Sequence, residues 1–317
     1  MKTPALVAAA MLIGCSSAAT RALPPSGQAP PVALGARFGA TLPARAKAGL
    51  YVAEFYGTSV YGFRRSGKGA AMCTITGVKS VNDVASDVKG DVIEPDGGSR
   101  TLKIFRPQCG SVLGSVSDPY GQPADAMSED AANGTIAIAN IFGPGGANGS
   151  ISLCSLKAGC TTNLTNPNMR EVAGVAMSTA GDCWASAVDT SNHANLTYFK
   201  GCAGAGEMAK GFINPSYGGL IFDAAGNLVS FSGNSAQVYV YRGCDPRCKL
   251  AGGPFSMGGT SVYGHLNKRG NMLAVADYQH GQIELYSYSP TAVNFEGSFN
   301  MGLTQSLDVV GVTYAPQ

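Results

Sequence analysis

A short block recurs along the 317-residue chain about every 44 residues, and that spacing constrains the fold more than any single motif does. It is plainest at Gly218-Gly219-Leu220-Ile221-Phe222-Asp223-Ala224-Ala225-Gly226-Asn227-Leu228-Val229-Ser230, followed by Gln237-Val238-Tyr239-Val240-Tyr241. The block reads as strand, Gly-Asn turn, strand, turn, strand. Candidates for the first turn of each unit are Ala48-Gly49, Gly90-Asp91, Asn133-Gly134, Gly181-Asp182, Gly226-Asn227 and Gly270-Asn271. Their intervals are 42, 43, 48, 45 and 44 residues. Such dipeptides tolerate the positive φ that a tight hairpin needs.

Each turn leads into an alternating apolar run, such as Leu50-Tyr51-Val52-Ala53, Thr135-Ile136-Ala137-Ile138-Ala139 or Met272-Leu273-Ala274-Val275-Ala276. A third strand follows, for example Leu102-Lys103-Ile104-Phe105, Leu196-Thr197-Tyr198-Phe199 or Ile283-Glu284-Leu285-Tyr286. β-Branched and aromatic residues at period two suit a half-buried pleated surface. Six such units at this period predict an all-β, six-bladed β-propeller spanning residues 47–317. The ends support the count. No innermost strand precedes the first turn, and Asp308-Val309-Val310-Gly311-Val312-Thr313-Tyr314 reads as an innermost strand with no turn after it. The C-terminal strand is therefore expected to complete the first blade and close the ring, leaving only short sheet edges. A two-sheet sandwich fits six even repeats less well. With 43 Gly, 17 Pro, 13% charged residues and no helical period after residue 20, the composition agrees with an all-β domain.

The N-terminus carries an address. Met1-Lys2 is positive, and residues 5–13 are apolar but too short to span a bilayer. The run ends in Leu12-Ile13-Gly14-Cys15, which resembles a bacterial lipobox. That resemblance implies a signal peptide over residues 1–14, cleavage before Cys15 and lipidation of its sulfur, so that several acyl chains anchor the protein stably. Ser16 stands where inner-membrane lipoproteins usually carry Asp, which implies the outer membrane or cell surface. The competing reading is an ordinary secretory signal and a secreted or periplasmic protein. Residues 15–46, rich in Ala, Pro and Ser, read as a flexible tether.

Nine cysteines less Cys15 leave eight, an even number in an oxidising compartment. Position narrows the pairings. Cys154 and Cys160 flank a short loop after a third strand, and Cys244 and Cys248 hold the corresponding place two blades on. Antiparallel pairing brings Cys183, opening a second strand, beside Cys202 after the third, which leaves Cys73 with Cys109. The rival is a metal site, but no pair has C-x-x-C spacing, and His193, His265 and His280 are remote in sequence.

Strong catalytic motifs are absent: no G-x-S-x-G, H-E-x-x-H, Walker loop or EF-hand pattern occurs. Gly143–Gly149 is glycine-rich but lies between strands with no helix behind it, so it reads as a hairpin loop. A net charge of +2 with interspersed signs speaks against nucleic acid. A ring of this kind offers its channel mouth as a site. One polar residue falls near the start of each innermost strand: Asp83, Asp125, Glu171, Tyr217, His265 and Asp308. Four carboxylates around a narrow axis could hold a divalent cation such as Ca²⁺ or raise one another's pKa to make a general base. Equally, they could cap strand ends. Trp184 is expected between blades against a disulfide, the strand tyrosines in the core, and His280 on the surface.

The blades, above all the G-L-x-F-D-x-x-G-N-L core beginning at Gly219 in blade 5, resemble NHL-type and gluconolactonase-like six-bladed propellers. That resemblance implies the fold over residues 47–317 and little about activity, since the group includes enzymes, scaffolds and binders. The lactonase branch uses a carboxylate-and-asparagine metal site, and no ligand position carries over to this chain. Three functions remain open: a membrane-anchored binding module for a protein, glycan or small ligand, a metal-dependent hydrolase or lactonase at the central channel, and a structural subunit of an envelope assembly.

Overall fold

The computed structural model describes residues 47–315 except 55–56, 68, 80, 82, 97–98, 122–123, 131–133 and 301–308, with the backbone alone described for 124–130, 261–262 and 309–310. Among the described residues, 24 strands form six four-stranded antiparallel sheets. Blade 2 runs outward as β4 (Ala85–Ser86), β5 (Val92–Asp96), β6 (Thr101–Phe105) and β7 (Val112–Ser117). Blade 3 is β8 (Ala124–Asp130), β9 (Thr135–Asn140), β10 (Ser150–Ser155) and β11 (Gly159–Leu164). Blade 4 is β12 (Glu171–Met177), β13 (Cys183–Val188), β14 (Ala194–Phe199) and β15 (Glu207–Met208). Blade 5 is β16 (Leu220–Phe222), β17 (Leu228–Ser232), β18 (Gln237–Arg242) and β19 (Lys249–Ser256). Blade 6 is β20 (Ser261–Leu266), β21 (Met272–Asp277), β22 (Gln282–Ser289) and β23 (Ala292–Asn300).

Blade 1 joins both ends of the chain. Its order is β24 (Val309–Tyr314), β1 (Leu50–Glu54), β2 (Ser59–Phe63) and β3 (Cys73–Thr76), with Leu50 opposite Tyr314. The innermost strands touch in the order β24, β4, β8, β12, β16, β20 and back to β24, so the ring is closed. The structure is the six-bladed propeller that the repeat predicts, shut by the C-terminal strand.

Four of the first turns share one chemistry. Asp87, Ser178, Asp223 and Asn267 each accept, through the backbone carbonyl, the N–H of Gly90, Gly181, Gly226 or Gly270 three residues on. Each side-chain oxygen then accepts the N–H four residues on, as Asp223 does from Asn227 at 2.8 Å. The glycines have φ of +83°, +86°, +78° and +66°, a region that strains any residue with a Cβ. Ala48-Gly49 is different and corrects the sequence reading. Among the described residues no strand precedes it; Gly49 instead donates to the Phe63 carbonyl and accepts from the Ala315 N–H, bridging strands of blade 1 from both ends of the described chain.

The core is divided among the seams. Six hydrophobic clusters lie one between each pair of neighbouring blades. Alternation along a strand sends successive residues to opposite seams: on β5, Val92 joins the seam with blade 1 and Ile93 the seam with blade 3. Four disulfides join Cys73 to Cys109, Cys154 to Cys160, Cys183 to Cys202 and Cys244 to Cys248. The first crosses from blade 1 to blade 2; the others stay within one blade. Trp184 packs across the next seam against Cys244 and Cys248, and its indole N–H donates to the Cys244 carbonyl at 2.9 Å.

Candidate functional site

The topology gives the ring two faces. The turn face carries the loops joining first to second and third to fourth strands of each blade. The crossover face carries the second-to-third loops and most of the blade-to-blade connectors, and it opens onto the channel mouth. Residues near the starts of innermost strands therefore belong to the crossover face.

Two of the six mouth residues meet there. The Tyr217 hydroxyl, just before β16, donates at 2.9 Å to Glu171 Oε2 at the start of β12. Arg170 closes an ion pair on the other oxygen, Oε1. Its guanidinium also donates to Asn192 Oδ1 at 2.7 Å. Glu171 is 3% exposed, so its charge is compensated where water is largely excluded. Both of its oxygens are occupied from within the protein. Close approach of the backbones makes the pairing possible: a Cβ on Gly174 of β12 would strike Gly218 and Gly219, so blades 4 and 5 meet here at glycine.

The other mouth residues disperse. Asp83 lies at the seam of blades 1 and 2, where Oδ1 accepts the Val84 N–H at 2.8 Å and the side chain lies beside Gly311 of β24. His265 lies within β20, opposite Ala274, and not at its start. Its Nδ1 is buried without a partner, and burial pushes the imidazole pKa down to about 4, so the ring is neutral at pH 7. Asp125 falls where the β8–β9 register shifts between Ala124 and Ala126, and its side chain is outside the described residues, as is all of Asp308.

The axis itself is occupied. Tyr263 of β20 belongs to the cluster otherwise formed by blades 3 and 4, with Ile151, Val172 and Val175. In a six-membered ring, blade 6 stands opposite blade 3, so the Tyr263 side chain crosses the channel. Among the described residues, the one cluster of three potential metal-ligand atoms is Asp118 with Cys154 and Cys160, within 4.8 Å of one another. The two sulfurs are bonded to each other, so neither is a thiolate.

Buried carboxylates are instead distributed through the seams. Glu94 and Asp96 share one face of β5, with Glu94 fully buried and neither of its oxygens hydrogen-bonded. Lys103 Nζ bridges Asp96 Oδ2 at 2.5 Å and the Gly77 carbonyl at 2.7 Å. Burial, reinforced by Asp96, pushes the Glu94 pKa up to about 8. On blade 6, buried Asp277 accepts from Gln282 and holds His280 Nδ1 at 2.7 Å, leaving the imidazole about half exposed on the crossover face. In the sequence, period two on β5 was the only sign that Glu94 points into a seam.

No protein-family model and no curated protein matches the chain. Solved structures do match in shape. A chain of the crystal structure of a nidogen/laminin complex aligns with a TM-score of 0.59 at 13% identity, over 84% of this chain and 98% of that one. A protein of unknown function from Bacteroides caccae aligns at 0.63 and 11% identity, over 86% and 100%. A functionally unknown protein from Desulfotomaculum acetoxidans DSM 771 aligns at 0.58 and 12%, over 83% and 84%. At these identities the likeness concerns the fold alone. Four disulfides fit an extracellular or periplasmic protein, and no described helix is long and apolar enough to cross a membrane. The chain is thus similar in fold to these three chains.

Proposed function

We propose that this chain is a lipid-anchored cell-envelope protein whose propeller serves as a binding module for a protein, glycan or small ligand on its crossover face. The observation that carries this reading is the internal neutralisation of Glu171 by Arg170 and Tyr217, in a channel crossed by Tyr263. A mouth built this way offers a shaped polar surface and no unoccupied oxygens on Glu171 for chemistry. Around it the described crossover loops are poor in charge and rich in Asn, Ser, Gly and Tyr, including Gly143–Gly149 and Tyr217, a composition suited to adaptable contacts. The resemblance of blade 5 to NHL-type repeats and the shape likeness to a chain of a nidogen/laminin complex support binding by analogy. The lipobox-like Leu12-Ile13-Gly14-Cys15 supports the anchor.

The test uses purified protein on protein and glycan arrays, with Asn192→Asp and Tyr217→Ala variants as probes of the face. Retained binding by wild type and its loss in both variants supports the module. Absence of any ligand, together with a bound divalent ion and EDTA-sensitive hydrolysis, overturns it in favour of the metal-dependent hydrolase.

A further inference from the structure

The net charge of +2 conceals a separation of signs by depth. Nine of the chain's carboxylates, Glu94, Asp96, Glu171, Asp277 and Glu284 among them, are buried in the seams and turns. Among the described residues no lysine or arginine is buried. Among the described residues, fourteen Lys and Arg are exposed against three acidic residues, Glu207, Asp245 and Glu296. The cations are also separated by face. Eleven of the fourteen lie in or beside the loops of the turn face, including Lys47, Arg64, Arg106, Lys157, Lys200 and Arg269, accompanied there by only Glu207 and Asp245. Two carboxylates of intermediate exposure at that end are committed to backbone amides. Asp87 accepts from Lys89 and Asp91, and Asp182 accepts from Gly201 at 2.6 Å. The crossover face keeps Lys79 and Arg100, and Lys210 lies on the connector from blade 4 to blade 5.

The chain enters the ring on this cationic face. Lys47 is exposed just before β1, whose first residue pairs with Tyr314 at the end of β24. Contacts across seams show that the turn ends of the blades lie level. Ser86 donates to the Tyr314 carbonyl at 2.6 Å, and Tyr288 to Asp223 Oδ2 at 2.9 Å. Lys47, the first described residue of the ring, therefore lies on the same side as most of the positive charge.

We infer that the turn face is a docking surface for anionic lipid headgroups, so that the ring lies cationic side down on the membrane with its crossover face outward. The choice of a lipid surface over another polyanion rests on the lipid-anchored reading above; the charged face itself does not. A surface of this kind gains from each Lys or Arg near the bilayer and weakens as salt screens it.

The test uses the full chain carrying Cys15→Ser, which bears no lipid, so its result is independent of whether Cys15 is acylated. Sedimentation is measured with vesicles of phosphatidylcholine alone and of phosphatidylcholine mixed with phosphatidylglycerol. The expected result is stronger binding to the anionic vesicles, reduced by salt. Adding Lys157→Glu and Arg269→Glu lowers that affinity roughly tenfold or more. Adding Lys79→Glu and Arg100→Glu on the opposite face leaves it within about twofold, since those charges lie beyond a screening length from the bilayer. Equal sedimentation with both vesicles overturns the inference, as does equal loss from the two double variants. Binding to heparin or duplex DNA without any preference for anionic vesicles also overturns it.

Discussion

Trp184 Nε1 donates to the carbonyl of Cys244 across the seam between blades 4 and 5, at 2.9 Å. The indole thereby ties the second strand of one blade to the disulfide loop of the next, in a cluster that also holds Tyr198, Leu228 and Tyr241. Trp184→Phe keeps an aromatic ring but leaves a buried carbonyl unpaired, an expected loss of about 1–3 kcal/mol. Trp184→Ala adds a cavity and is expected to cost about 3–5 kcal/mol. Denaturant titration of both variants separates the hydrogen bond from the packing.

The four disulfides differ in the loops they close. Cys73–Cys109 spans 36 residues and two blades, whereas Cys244–Cys248 spans four residues inside one. On chain-entropy grounds, replacing the first pair by Ala destabilises by about 4 kcal/mol and the second by about 2 kcal/mol. Thermal melts of the two double variants under oxidising conditions give the order.

Glu94 makes stability depend on pH in a definite direction. Its folded pKa of about 8 lies above the usual carboxylate value of 4.5, so between those values the native state holds a proton that the unfolded chain has released. Stability from this group is present below pH 4.5 and is lost as pH rises through 8. Glu94→Gln mimics the protonated form. It is expected to flatten the profile and raise stability at pH 9 by roughly 3–5 kcal/mol, measured as the shift in urea midpoint multiplied by the slope m.

The Glu171 group is a bound charge with internal partners. Arg170→Ala strips the buried carboxylate of its counter-ion and is expected to cost about 3–5 kcal/mol. Tyr217→Phe removes one hydrogen bond and is expected to cost about 1–2 kcal/mol. A cycle with the double variant measures the coupling through Glu171.

Much of the scaffold is legible in the sequence because it repeats. Gly90, Gly181, Gly226 and Gly270 mark turns whose positive φ only glycine adopts readily, and the strand-like run at Val309–Tyr314 with no turn after it announces its pairing with β1. Ala48-Gly49 reads as a turn because its composition matches, although Gly49 hydrogen-bonds with Phe63 and Ala315 and closes no tight turn of its own. The cysteine pairs follow once strand positions are known, since bonded residues sit on neighbouring strands or loops. The mouth is less legible. Glu171 and Tyr217 are 46 residues apart and meet because two blades pack at Gly174 and Gly218, a distance set by sheet twist. His265 shows the same difficulty: a shift of a few residues in register moves it from the mouth into β20. Tyr263 reaches across the axis because a register shift between Ser261 and Gly264 turns that stretch of β20, and no periodicity forecasts it. The cationic face is hidden because signs alternate along the chain while burial sorts them.

Whether the ring hangs from a membrane is read most directly by the intact mass of the protein purified from membranes without reductant. The expected species begins at Cys15, carries diacylglycerol and an N-terminal acyl chain, and takes up no thiol-alkylating reagent at the other eight cysteines. An unacylated chain cut at another position contradicts the anchor, and alkylation at any of the eight contradicts the stapled ring.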